Sequence, residues 1–243
     1  MRLGARALWA PALLTAALLA GCGGVPRAAE AVGARLPADA APDPLVRADS
    51  LLGAGDYAAA VRQASPVLQD ADTERQTEAY RIVGLARFQL QEYALAADAL
   101  EIVARRRNGS DDWFNVATSA TLARQVDRGR RAYDEAVARG RWERLNSAQA
   151  PFYYAFALRD VGAYEQALDP LTELRAVYAA LSITDDTFLY IRGVPFLSDT
   201  LELATEIFQA LGRPAEGRAW MEELIEAVDP EGQALVARYA AEL

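Results

Sequence analysis

Between Thr77 and Asn108 the chain reads TEAYRIVGLARFQLQEYALAADALEIVARRRN, two apolar stripes of helical period separated by a short break. Tyr80, Val83, Gly84, Arg87 and Phe88 fall on one face of the first stripe, and Tyr93, Ala96, Leu100 and Val103 on one face of the second. Two short helices folded into a hairpin follow. Gly84 and Ala96 are placed where they cross, because a bulky side chain there would hold the axes apart and spoil ridge-into-groove packing.

The order of these residues resembles a tetratricopeptide repeat: a large residue, a Leu-Gly-like pair, an aromatic, then a small residue, a second large residue and a late proline, whose place Asn108 takes. Laid along the chain, the template puts Tyr57, Tyr93, Val126, Tyr164 and Pro214 at the start of successive second helices. Their separations are 36, 33, 38 and 50 residues, against a family period of about 34. The resemblance therefore implies an all-α, right-handed α-solenoid of about five helix-turn-helix repeats over residues 45–243, capped by an amphipathic segment from Gly232 to Leu243. The excess in the last interval falls in a segment of about residues 181–197. A short extra helix from Asp186 to Arg192 is expected there, with the next helix starting near Pro195 or Asp199. Phe188, Leu189, Tyr190 and Ile191 are too apolar for water, so this insert either seals a gap between repeats four and five or folds across the concave face as a lid.

Composition agrees with helix and removes most chemistry. The chain is 52% hydrophobic, and β-branched residues are scarce. It has no His and no Lys, and its one cysteine is Cys22. Serine-protease triads, papain-like dyads, zinc clusters, Walker phosphate loops and pyridoxal Schiff bases are therefore all beyond it. No enzyme activity, cofactor or metal is expected. Paired carboxylates, the apparatus of glycan hydrolysis, are the one common hydrolytic device the composition still allows, and they keep a glycan-acting enzyme open as an alternative. There are 25 basic and 34 acidic residues, a net charge of −9, and loss of Arg2 and Arg6 with the leader makes it −11. Nucleic acid is an unsuitable partner for such a chain.

The chain opens MRLGARALWAPALLTAALLAGC, with two arginines followed by an apolar run from Ala7 to Ala20. A spanning helix needs about 20 apolar residues, more than this run supplies, so residues 1–21 read as a cleaved signal peptide. Leu19-Ala20-Gly21-Cys22 resembles a bacterial lipobox, which implies acylation of Cys22 and anchorage of the chain to a membrane of the bacterial envelope. Each buried methylene contributes about 0.8 kcal/mol, so two or three acyl chains hold a domain at a bilayer almost permanently. Gly23 after the cysteine implies the outer membrane, facing the periplasm. Residues 22–44, rich in Pro and Gly, read as a lipidated flexible tether with a reach of about 25 Å.

In the family the first helix of each repeat lines a concave face. The fifth template position gives Leu45, Arg81, Phe114, Phe152 and Glu202; the ninth gives Asp49, Leu85, Thr118, Phe156 and Glu206; the twelfth gives Leu52, Phe88, Thr121, Arg159 and Gln209. With the neighbours Asn115 and Tyr153, the resemblance implies a protein-binding groove formed by Arg81, Leu85, Phe88, Phe114, Asn115, Thr118, Phe152, Tyr153, Phe156 and Arg159. Aromatics beside arginines suit a protein or peptide segment, since they bury large area and Arg can pair with a carboxylate. The alternative is that Phe114, Phe152 and Phe156 are core residues. The length, the lipobox and the repeats together resemble the BamD-type lipoproteins of the outer-membrane β-barrel assembly machinery, implying an adaptor or scaffold rather than an enzyme. A structural subunit docking through its convex face is the other reading. Asp111-Asp112 and Asp185-Asp186 read as solvated caps, and Arg105-Arg106-Arg107 as cations complementing a helix end.

Overall fold

The computed structural model describes residues 43–182 and 185–243. The segments read above as signal peptide and tether, up to residue 42 and with Cys22 between them, lie outside the described residues. Every regular element among those described is helical. Twelve α-helices follow one another: α1 (Pro44–Gly53), α2 (Tyr57–Ala64), α3 (Thr73–Gln89), α4 (Tyr93–Arg107), α5 (Ser110–Leu122), α6 (Val126–Arg139), α7 (Gln149–Asp160), α8 (Tyr164–Leu181), α9 (Asp186–Arg192), α10 (Leu197–Ala210), α11 (Pro214–Ile225) and α12 (Pro230–Glu242), with a 3-10 turn at Ser65–Gln69 after α2. None of them is long and apolar enough to cross a membrane. Pro44, grouped with the tether in the sequence, is instead the first residue of α1, where its missing N–H costs nothing and Asp43 caps the Leu45 amide at 2.8 Å.

Tyr57, Tyr93, Val126, Tyr164 and Pro214 each begin a helix, α2, α4, α6, α8 and α11. Two residues before each stands a left-handed residue: Gly55, Gln91, Arg124, Gly162 and Gly212. The hydrogen bonding of these turns is also the same. The left-handed residue donates its N–H to the carbonyl three residues back and the next residue donates to the one five back, as Gly55 does to Leu52 and Asp56 to Leu51. This is the Schellman motif, which satisfies the carbonyls orphaned at a helix end. In the second of these turns aromatics also meet across it: Phe88 at the end of α3 and Tyr93 at the start of α4 lie edge-on with centroids 5.3 Å apart.

Glycine adopts this conformation without strain, whereas a β-carbon makes it costly. Gln91, exposed and at φ 61°, is one of two non-glycine residues in the five turns. Gln91→Gly should therefore stabilise the fold by about 1 kcal/mol in urea unfolding; an unchanged midpoint would show that the turn is not held in this geometry. Asn108 ends α4 at φ 59°. This explains the missing proline, because a proline ring holds φ negative.

Packing within the hairpins depends on small residues. A β-carbon on Gly84 would lie 2.6 Å from Leu100 Cγ, and one on Gly217 would lie 2.9 Å from Phe208 Cβ. Ala96, Ala155 and Ala167 are fully buried. Each hairpin also packs on its neighbours: α1 against α3, α5 against α7, α8 against α10 and α11. Arginine-carboxylate pairs bridge them, including Arg128 of α6 with Glu101 of α4 (2.5 Å), Arg130 of α6 with Asp169 of α8 (2.6 Å) and Arg175 of α8 with Glu223 of α11 (2.7 Å). Helix α12 packs on α10 and α11.

Helix α9 occupies the expected range and is capped by Asp185, whose carboxylate accepts from the Phe188 amide at 3.0 Å. It does not remove all four apolar residues from water, however. Leu189 is buried and Phe188 half-buried, but Tyr190 and Ile191 are 78% and 74% exposed. Four consecutive residues point around a whole helical turn, so FLYI cannot all face inward. The insert is tied down at its end: Asn146 Nδ2 donates to Gly193 O at 2.9 Å, and the Tyr178 hydroxyl donates to Pro195 O while lying 3.0 Å from the Thr200 hydroxyl.

Candidate functional site

Six of the ten groove positions are in the core. Leu85, Phe88, Phe114, Asn115, Thr118 and Phe152 are each no more than 7% exposed, so these six side chains form no contact surface for a partner. The reason lies in α5. Its residues from Phe114 to Thr121 are all buried, because the middle of the array is filled. The loop between α6 and α7 lays Trp142 edge-on against Phe114, centroids 6.2 Å apart, while Tyr133 of α6 meets the same ring at 6.4 Å. At the opposite end, Arg124 in the α5–α6 turn donates to Val161 O in the α7–α8 turn at 3.3 Å. A template position that faces an open trough in a gently curved array faces packed neighbours here.

The two groove arginines have partners within the chain. Arg81 Nη2 donates to Asp49 at 2.5 Å and to Glu78 at 2.6 Å. Arg159 Nη1 pairs with Glu206 of α10, its Nε donates to Asp160 at 2.9 Å, and its guanidinium lies 3.9 Å from the Phe156 ring centroid. Both positive charges are thus offset by carboxylates of their own array, and neither is free to receive a partner's.

What remains half-exposed is a shorter face on α7, Tyr153 and Phe156 with Arg159, flanked by α10. Phe152 supports it from below, edge-on to Tyr153 at 5.4 Å and tilted against Phe156 at 6.2 Å. Asp199 of α10 gives the flank a negative charge, since the Glu206 carboxylate is paired with Arg159. Asp199 is raised above the ordinary carboxylate range, first by partial burial and then by the charges of Glu202 and Asp186. Burial also raises the Tyr153 phenol, with a contribution from Asp199. Asp160 is raised as well, by burial foremost and by Glu206 in addition, against the opposing pull of Arg159. The arrangement suits aromatic contact with a segment that brings positive charge to α10.

Asp199 was not among the sequence-derived groove residues. Its separation from Tyr153 by α8 and the insert left no local signal to find. Among the described residues, no group of three acidic or cysteine side chains gathers to hold a metal ion. No protein-family model matches the chain, and no curated protein matches it.

Proposed function

We propose that the chain is an adaptor of tetratricopeptide type, five hairpins in a right-handed array with α12 as cap, acylated at Cys22 and held at the bacterial envelope, on the outer membrane facing the periplasm. There it positions other proteins. The observation that carries this reading is the recurrence of one Schellman turn, in the same register, at all five places the repeat template marks. A modular scaffold of stacked hairpins has its use in presenting an extended surface.

The partner is a protein segment lying along Tyr153 and Phe156, with a basic residue reaching Asp199. This charge assignment follows from Asp199 and from the internal pairing of Arg81 and Arg159. Aromatics in such a face contribute most of the binding energy, and the carboxylates set orientation and association rate.

Affinity purification of the acylated protein from crosslinked membranes tests the proposal. Tyr153→Ala with Phe156→Ala should reduce partner capture by about tenfold or more, the loss of two aromatic contacts, with helical content unchanged. Cys22→Ala should abolish both palmitate labelling and membrane fractionation. Capture indifferent to the α7 pair would move the docking surface to the convex side; membrane association that survives without Cys22 would remove the anchor.

A further inference from the structure

The end of α4 carries three consecutive arginines, and they are not equivalent. Arg105 is paired with Glu101 at 2.5 Å and Arg107 with Glu78 at 2.7 Å. Arg106 instead donates to two neutral oxygens, Thr77 Oγ1 at 3.0 Å and Gln76 Oε1 at 2.6 Å. These bonds hold its guanidinium still without neutralising it. A guanidinium has five N–H donors, so three remain. The group lines a cavity of about 370 Å³ together with Thr73, Glu74, Thr77 and Arg107, a volume within the range of small-ligand sites.

The charges in this cavity are ordered. Arg106 and Arg107 come from α4, while Thr73, Thr77 and, in the first turn, Glu74 come from α3; the Thr77 hydroxyl is spent on Thr73 O and Arg106, which leaves that of Thr73. One un-neutralised guanidinium with an adjoining hydroxyl suits a phosphodiester, which takes charge-assisted hydrogen bonds from guanidinium. A carboxylate beside them suits an ammonium group on the same ligand. A plain anion would meet Glu74 as well as the negative field of the whole chain, whose net charge is −9. A zwitterion meets neither penalty.

The cavity's position adds a second argument. Arg75, the residue after Glu74, is bonded to Asp43 at 2.5 Å, so the described chain begins beside this cavity. In sequence only the Pro- and Gly-rich tether separates Asp43 from Cys22. An acyl anchor at Cys22 would thus bring this end of the array, before any other, to the headgroup layer.

We infer that the cavity between the start of α3 and the end of α4 binds a zwitterionic phosphodiester-ammonium group, the headgroup of an ethanolamine phospholipid. Arg106 holds the phosphate and Glu74 the primary ammonium, and the contact fixes the orientation of the array on its membrane. The choice of a lipid source rests on the anchor proposed above; the chemistry of the cavity does not.

The test uses the mature chain carrying Cys22→Ala, free of acyl groups, so that it is independent of whether Cys22 is modified. Titration with glycerophosphoethanolamine, followed by amide shifts near Thr73 and Arg106, should show saturable binding tighter than that of inorganic phosphate. Arg106→Gln should weaken it about tenfold, the loss of one charge-assisted contact. Glu74→Gln should remove the preference over inorganic phosphate while leaving phosphate binding in place. Vesicles of phosphatidylethanolamine with phosphatidylcholine should retain the protein better than phosphatidylcholine alone, and Arg106→Gln should abolish the difference. Equal affinity for phosphate and glycerophosphoethanolamine, or no binding of either, overturns the assignment of the cavity. Binding of the soluble compound with no vesicle preference overturns the membrane as its source.

Discussion

Gly129→Ala is expected to destabilise the fold by about 3 kcal/mol or more, at or beyond the upper end for overpacking a core. A β-carbon at this position in α6 would lie 2.1 Å from Thr121 Oγ1, 3.0 Å from Ala117 O and 3.1 Å from Thr121 N, all on α5. Two of the three atoms are backbone and cannot rotate away. At Gly84 the nearest atoms belong instead to the Leu100 side chain, which has rotamers available, so Gly84→Ala should cost less. The buried Thr121 hydroxyl has no partner in good hydrogen-bonding geometry and only moderates the effect of burial on the Tyr154 phenol, so Thr121→Ala should be mild by itself. The double variant should recover part of the loss but not all, because the backbone contacts persist. Urea unfolding of the two single variants and the double variant gives the coupling directly. A Gly129→Ala protein as stable as the parent, to within about 0.5 kcal/mol, would mean that α5 and α6 do not approach this closely.

That contact also marks the limit of what periodicity conveys. The starts of α2, α4, α6, α8 and α11 were legible because each is followed three residues later by Ala or Gly and three of the five are preceded by a turn glycine, and both are local signals. So was α9, bracketed by Asp185 and Gly193. The exposure of the aromatics was not. Phe114 on α5 and Phe156 on α7 are both aromatic, yet one is covered by Trp142 and the other is half-exposed. Which of them is covered depends on how the α6–α7 loop folds, and that loop has no periodic pattern.

Arginine shows the same limit. With no lysine in the chain, every cation has the planar fork that pairs bidentately with carboxylate. Sequence position could not say that Arg81 and Arg159 commit their charge to Asp49 and Glu206 whereas Arg106 keeps its own. In each case the deciding neighbour is about 30 to 50 residues away, beyond the reach of any local rule.

Asp111 is the residue whose role changes most between sequence and structure, and its replacement gives the other large expected effect. The Asp111-Asp112 pair opens α5 and reads as a solvated cap, but Asp111 is only 7% exposed. Its Oδ2 accepts from the amides of Glu143 (2.7 Å) and Arg144 (3.1 Å), and its Oδ1 from that of Leu145 (3.1 Å). Ser110 Oγ accepts from the Arg141 amide at 2.9 Å. One carboxylate thereby fixes the α6–α7 loop, which carries Trp142 onto Phe114 and holds Asn146 where it accepts from Gln149 N at 2.8 Å and grips Gly193. Asp111→Ala removes three charge-assisted hydrogen bonds and should cost about 3 kcal/mol. Asp111→Asn keeps one acceptor oxygen without the charge and should cost about half of that. The loss should be local before it is global. Amide exchange should accelerate first at Glu143 to Leu145 and at Gly193 and Val194, while α1 to α3 keep their protection. Uniform acceleration along the whole chain, or a stability loss in Asp111→Ala no greater than in Asp112→Ala, would show that the loop is held by something other than this carboxylate.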